Sequence, residues 1–103
     1  MRAIRASRDY RAALHELLAY GEAQFGGRVV DTKRALVSKT ITELLAAHPA
    51  IGIFDRHLDV YVYPVSDTPF VLLYDFDDAE VRIHLIVHRR ANRQRLNLTA
   101  IEW

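Results

Sequence analysis

The sequence predicts an α+β fold of the order β-α-α-β-β-β, in which a two-helix hairpin packs on one face of an antiparallel sheet. Three observations carry this expectation. Apolar residues recur at helical spacing through the first half of the chain, alternation with the period of a strand begins at Asp59, and short polar turns separate the three later strands. With 103 residues, 50% of them hydrophobic, the chain suits one domain spanning 1–103 with a modest core.

Residues 2–6 read as a short opening strand. Ser7 then stands where an N-cap is needed, ahead of a helix whose face carries Tyr10, Ala13, Leu14, Leu17, Leu18, Gly21 and Phe25. Gly26-Gly27 ends that helix. Asp31 or Thr32 is suited to cap a second one, with the stripe Val37, Ile41, Leu44, Leu45 and His48, and Pro49 disfavours helical geometry at His48. A loop of about four residues between two helices makes them antiparallel neighbours that cover the same surface. Strands follow at 60–63, 70–76 and 81–88. Ser66-Asp67-Thr68-Pro69 and Asp77-Asp78-Ala79 are too short for crossover helices and imply a meander. Two helices cover one face of such a sheet, which leaves the other open. The tail, 91–103, alternates too irregularly to assign; it is expected to be an edge strand or flap over the core rather than a partner-binding element.

Within the last strand Val81, Ile83, Leu85 and Val87 read as the core face. Arg82, His84, Ile86, His88 and Arg90 then share the opposite face. Arg93 and Arg95 follow. Guanidinium and imidazole groups at this density suit phosphate, nucleic acid or an acidic protein segment, and they equally suit a solvated outer face. The net charge is only +1, yet residues 88–103 hold Arg89, Arg90, Arg93 and Arg95 against Glu102 alone, while Asp75, Asp77, Asp78 and Glu80 supply the acid. That dipolar layout indicates a local basic patch, not a field spread over the whole surface.

Other chemistries find little support. The chain has no cysteine, so disulfides, thiolate metal sites and cysteine nucleophiles are excluded. His84 and His88 are separated by about 13 Å along a strand, too far to share zinc. His15 and His48 read as helix-surface or helix-terminal positions, His57 would approach the His88 end of the sheet only through a tertiary contact, and no metal or other cofactor is expected. No phosphate-binding glycine loop and no paired catalytic carboxylates are present. Tyr61, Tyr63 and Tyr74 are of a type that stacks on bases, but beside valine and leucine on strands they read as packing residues. There is no apolar run of the ~20 residues needed to span a bilayer and no apolar leader segment, which predicts a cytoplasmic protein without membrane contact.

The element order, the run Leu44-Leu45-Ala46-Ala47-His48-Pro49 with Gly52 after it, and the closing Ile86-Val87-His88-Arg89-Arg90 together resemble the RelE/ParE toxin superfamily over roughly residues 1–93. That resemblance implies a bacterial type II toxin–antitoxin system of the kind associated with plasmid stabilization and growth arrest. It also implies a heteromeric complex with a cognate ParD- or RelB-like antitoxin. The superfamily has two branches: RelE-like members cleave mRNA on the ribosome, and ParE-like members inhibit DNA gyrase by binding. For the nuclease branch His88 is the candidate acid or base, with Arg82 and Arg90 as the cations that stabilise the phosphate. For the binding branch the target surface is Arg82, His84, His88, Arg89, Arg90, Arg93 and Arg95. The nuclease branch typically carries a basic residue at the start of its middle strand, where this chain has Pro69-Phe70-Val71-Leu72, and 59–63 offers no cation. The resemblance therefore favours the ParE-like branch, a binder without chemistry of its own.

Overall fold

The computed structural model describes all residues, 1–103. Two helices, α1 (Arg8–Phe25) and α2 (Gly27–Lys39), lie on a five-stranded sheet built from β1 (Ala3–Ala6), β2 (Ile53–Asp55), β3 (Val60–Pro64), β4 (Phe70–Phe76) and β5 (Glu80–His88). The strand order is β1-β5-β4-β3-β2. The α+β class and the 60–88 meander are as the sequence predicts. The sheet, however, is mixed: β1 pairs parallel with β5, and β2 adds an outer strand that three residues were too few to reveal.

Ser7 is fully buried and starts α1: its Oγ accepts from the Tyr10 N–H at 2.8 Å. Gly26, at φ 89°, ends α1 and begins α2 in a single residue, a backbone geometry that favours glycine. The expected caps Asp31 and Thr32 therefore lie inside α2, on its exposed face, while Val30 just before them is buried. Phe25, at the tip of the hairpin, is 67% exposed, not part of the buried face. Beyond Lys39 the helix widens into a π-helical turn over Thr40–Leu45. The Thr40 hydroxyl donates to the Leu36 carbonyl at 2.7 Å, a local bond that competes with regular helix packing. Val37, Ile41 and Leu45 stay buried, but His48 leaves the helix at φ −135° ahead of Pro49 and is exposed, off the stripe assigned to it.

The Pro49–Gly52 turn is held by one side chain. Tyr74 Oη donates to the Pro49 carbonyl at 2.6 Å and accepts from the Gly52 N–H at 3.1 Å. A Cβ at Gly52 would stand 2.5 Å from that oxygen, so only glycine fits there. Burial pushes the Tyr74 phenol up to about 12, consistent with a structural hydroxyl that stays protonated.

The largest departure from the expected pattern is in β5. Leu73 pairs with Leu85 but Tyr74 pairs with Ile83, so His84 is an extra, bulged residue. The alternation inverts there. Val81, Ile83 and Ile86 join the core under the helices with Leu72 and Tyr74, whereas Leu85 and Val87 turn to the second face. Ile86, assigned to the exposed basic face, is 1% exposed. The second face is not fully open either: Leu58, Val60, Val71 and Leu73 form a smaller core there, over which Leu96 and Leu98 of the tail pack.

Ser7 also serves the bulge. Its N–H donates to the Ile83 carbonyl at 3.0 Å and its hydroxyl donates to the His84 carbonyl at 2.6 Å. Ser7→Ala removes a helix cap and leaves a buried acceptor unsatisfied, so a loss of about 1–3 kcal/mol is expected. Equilibrium urea unfolding measures it; a midpoint equal to that of the unaltered chain would show that the bulge holds without this hydroxyl.

Candidate binding surface

The bulge decides where the predicted site residues go. Arg82 stands opposite Asp75 on the second face, whereas His88 stands opposite Phe70, which belongs to the core under the helices. Arg82 and His88 therefore lie on opposite faces of the sheet. The single face expected to hold Arg82, His84, His88 and Arg90 does not exist, because a strand with one extra residue reverses its alternation.

Arg82 is enclosed by acid. Its Nε donates to Asp75 Oδ1 at 2.7 Å, and its Nη1 donates to Asp77 Oδ2 at 2.8 Å and to Glu80 Oε2 at 3.2 Å. The Arg82 hydrogen bond, helped by the Glu80 and Ala79 backbone N–H groups, lowers Asp77 to about 2. The same carboxylates raise the Arg82 guanidinium well above its ordinary value, with the Asp77 bond the largest cause. This cation closes the β4–β5 turn and is not offered to a ligand. The acids themselves were visible in the sequence; the signal passed over was their register, which places Asp75 directly across from Arg82.

His84 is likewise taken up by the fold. Its side chain is 15% exposed, with Nε2 3.4 Å from Asp75 Oδ2. The Trp103 ring meets it edge-on at 4.9 Å, and the Arg5 guanidinium lies 5.2 Å from the Trp103 ring centre. The tail is tied down by this contact and by the Arg8 N–H, which donates to the Glu102 carbonyl at 2.7 Å.

His88 sits at the exit of β5. Its Nδ1 accepts from the Arg90 N–H at 3.1 Å, which places the proton of the neutral ring on Nε2. In that tautomer the free nitrogen is a donor, not a base. His57 meets the tail instead of His88, through Nε2 and the Gln94 carbonyl at 3.2 Å. No three His, Asp or Glu side chains stand together in a way that would hold a metal ion.

What remains exposed is the segment after β5. The Arg89 N–H donates to the Pro69 carbonyl at 2.7 Å, and Asn92 caps a 3-10 turn over Arg93–Arg95 by accepting from the Gln94 N–H. Asn97 caps a second such turn over Leu98–Ala100. Two asparagines five residues apart were the legible signal for this tail. All ion pairs of the chain centre on Arg82 and His84, so Arg89, Arg90, Arg93 and Arg95 carry no carboxylate partner. Arg93 Nε is buried without any hydrogen-bond partner. No helix is long and apolar enough to cross a membrane.

The structure is thus a helical hairpin on a five-stranded mixed sheet, with a basic segment leaving the last strand of the meander. A solved chain described as "Chromosomal ParDE TA system from P. aeruginosa" superposes with a TM-score of 0.73, at 16% identity, over 85% of this chain and 96% of that chain. No protein-family model and no curated protein matches the sequence. The likeness is therefore one of fold.

The Arg82 cluster has a pH signature. Asp77 is held below its ordinary value of 3.8, so the unfolded chain takes up the proton first as pH falls. The stabilisation is complete above that value and is lost as pH drops through about 2. Arg82→Met is expected to be less stable near neutrality, where three carboxylates would face one another. The gap to the unaltered chain is expected to narrow on acidification from about pH 5 to about pH 2. Urea midpoints across that range test this, and a constant gap would contradict it.

Proposed function

We propose that this chain is the toxin of a type II toxin–antitoxin pair of the ParE-like kind. It arrests growth by binding DNA gyrase and is neutralised by a cognate antitoxin of the ParD/RelB sort in a heteromeric complex. The observation that carries this reading is the set of four partnerless arginines, Arg89, Arg90, Arg93 and Arg95, on one short segment of a fold shared with a ParDE-system chain. Planar guanidinium groups without internal partners suit recognition of carboxylate-bearing surfaces. His88, beside them, is the remaining part of the target surface; Arg82, bonded to Asp75 and its neighbours, and His84, packed against Trp103, drop out of it.

The geometry gives less support to an RNA-cleaving site of the RelE kind. Such a site needs a base, an acid and a cation converging on one phosphate. Here the candidate base is a donor in its neutral form, and the cation Arg82 is on the opposite face of the sheet. Arg89 and Arg90 are the cations left for such a site.

Pulse-labelling of DNA and protein synthesis after inducing the chain without antitoxin tests the reading. Continuing translation with stalled replication and a DNA-damage response is expected. Joint replacement of Arg89, Arg90, Arg93 and Arg95 by Glu is expected to abolish arrest, with His88→Ala retaining it. Rapid collapse of translation, weakened about a hundredfold or more by His88→Ala, would instead establish the nuclease. Absence of any arrest would overturn the toxin reading.

A further inference from the structure

The helical hairpin does not close completely over the β1 edge of the sheet. Between α1, the end of α2 and that edge a cavity of about 380 Å³ stays open, with Ile4, Leu14, Val37, Ile41 and Ile83 as its apolar walls. Ile4 and Leu14 are only half-buried, and Arg11 and Arg34, which also line the cavity, are exposed. We infer that this cavity binds an aliphatic carboxylate of the medium-chain fatty-acid class, with its chain among Ile4, Leu14, Ile41 and Ile83 and its carboxylate held by Arg11 and Arg34.

Charge, size and lining select that ligand. No acidic residue lines the cavity, and the ion pairs of the chain all involve Arg82 or His84, so Arg11 and Arg34 have no carboxylate of their own. Two guanidinium groups in that position suit an anion. Tyr10 adds a further donor to the lining: burial pushes its phenol up to about 12 and no hydrogen bond within the chain draws it back, so the O–H stays protonated. A volume near 380 Å³, walled by aliphatic side chains with a few polar groups, is in the range of about 300–1,000 Å³ that single small ligands fill. Two turns of a partner's helix, about 10 Å across and about 11 Å long, would displace about 850 Å³, more than twice that room. The lining also offers no ring on which a base could stack, since Tyr10, its one aromatic, is only 8% exposed. Finally, Ile41 and Thr42 enter the wall from the π-helical turn at Thr40–Leu45, a distortion found mostly at functional sites.

The site stands apart from the toxin reading, because neither Arg11 nor Arg34 belongs to the 89–95 surface. The test is a nuclear magnetic resonance titration of the full chain, labelled at its isoleucine methyl groups, with decanoate below the concentration at which it forms micelles. The Ile4, Ile41 and Ile83 methyls are expected to shift and saturate, and the exposed Ile53 methyl to stay in place. Three probes are compared with decanoate: decanol, decyltrimethylammonium and vesicles of phosphatidylglycerol. Decanoate is expected to bind about tenfold or more tighter than decanol, and the other two are expected to leave these methyls unmoved. Joint replacement Arg11→Glu and Arg34→Glu is expected to weaken decanoate about tenfold or more, and the remaining methyl signals establish that the variant folds. Equal binding of decanol, indifference to the double replacement, or shifts confined to Ile53 would each overturn the inference. A response to vesicles as strong as that to free decanoate would make this edge a membrane contact, and no response to decanoate would leave the cavity to some other occupant; either result also overturns it. A chain that arrests growth but ignores decanoate would sink this site and leave the toxin reading standing.

Discussion

One inserted residue, His84, governs which side chains of this protein meet. A strand sorts its residues by parity, and an extra residue reverses the sorting for everything downstream. Upstream of the bulge Val81 and Ile83 face the helices; downstream Ile86 does, and Leu85 and Val87 supply the second face with the apolar surface on which Leu96 and Leu98 settle. A bulge interrupts the ladder, and buried backbone groups cannot go unpaired without a cost of about 1–3 kcal/mol each. Ser7 supplies the missing partner from outside the sheet, since its hydroxyl reaches the His84 carbonyl while also capping α1. The first helix, the parallel strand β1 and the inverted half of β5 are thus positioned by one small buried residue.

The same inversion separates two kinds of arginine. Arg82, before the bulge, is surrounded by Asp75, Asp77 and Glu80, and its charge is used to hold a hairpin turn. The arginines after β5 lie where the chain has left the sheet and its acids behind. A near-neutral protein can therefore present a concentrated cationic segment, because its carboxylates are gathered some distance away along the meander. A phosphate held between His88 and Arg82 would need both on one face, and the bulge places them on opposite faces. Recognition of an acidic partner needs only the segment.

Much of the fold was legible because it depends on patterns that the chain states locally. Ser7 as a cap, Gly26 as a break, and the turns at 66–69 and 77–79 are local chemistry, and all of them hold. The bulge was not legible. Val81 to Leu85 alternates cleanly and only Ile86 departs from the pattern, while the partner that holds the bulge is distant, the Ser7 hydroxyl 77 residues away from His84. Parity carried past His84 inverts the faces for the second half of the strand, and the candidate site inherits the error: His88 and Arg82 share a face by parity alone. The arginines after Arg89 were correctly marked as cationic, since charge density is a composition property that no register can hide. The residues between Gly26 and Asp31 read as a loop because a glycine pair and the cap-type side chains of Asp31 and Thr32 bracket them.

The tail completes this argument about faces. Leu96 and Leu98 are enough to cover the second face where β3, β4 and β5 lie side by side, but they leave the outer part, toward β2, uncovered. An exposed apolar edge strand is ordinarily a hazard for self-association. Here three properties limit that hazard: β2 is only 3 residues long, Asp55 ends it, and the cations of Arg89 and Arg93 rim the hollow beside it. Protection against a second copy is thus an electrostatic arrangement, set by where the bulge sends the tail and where the tail stops.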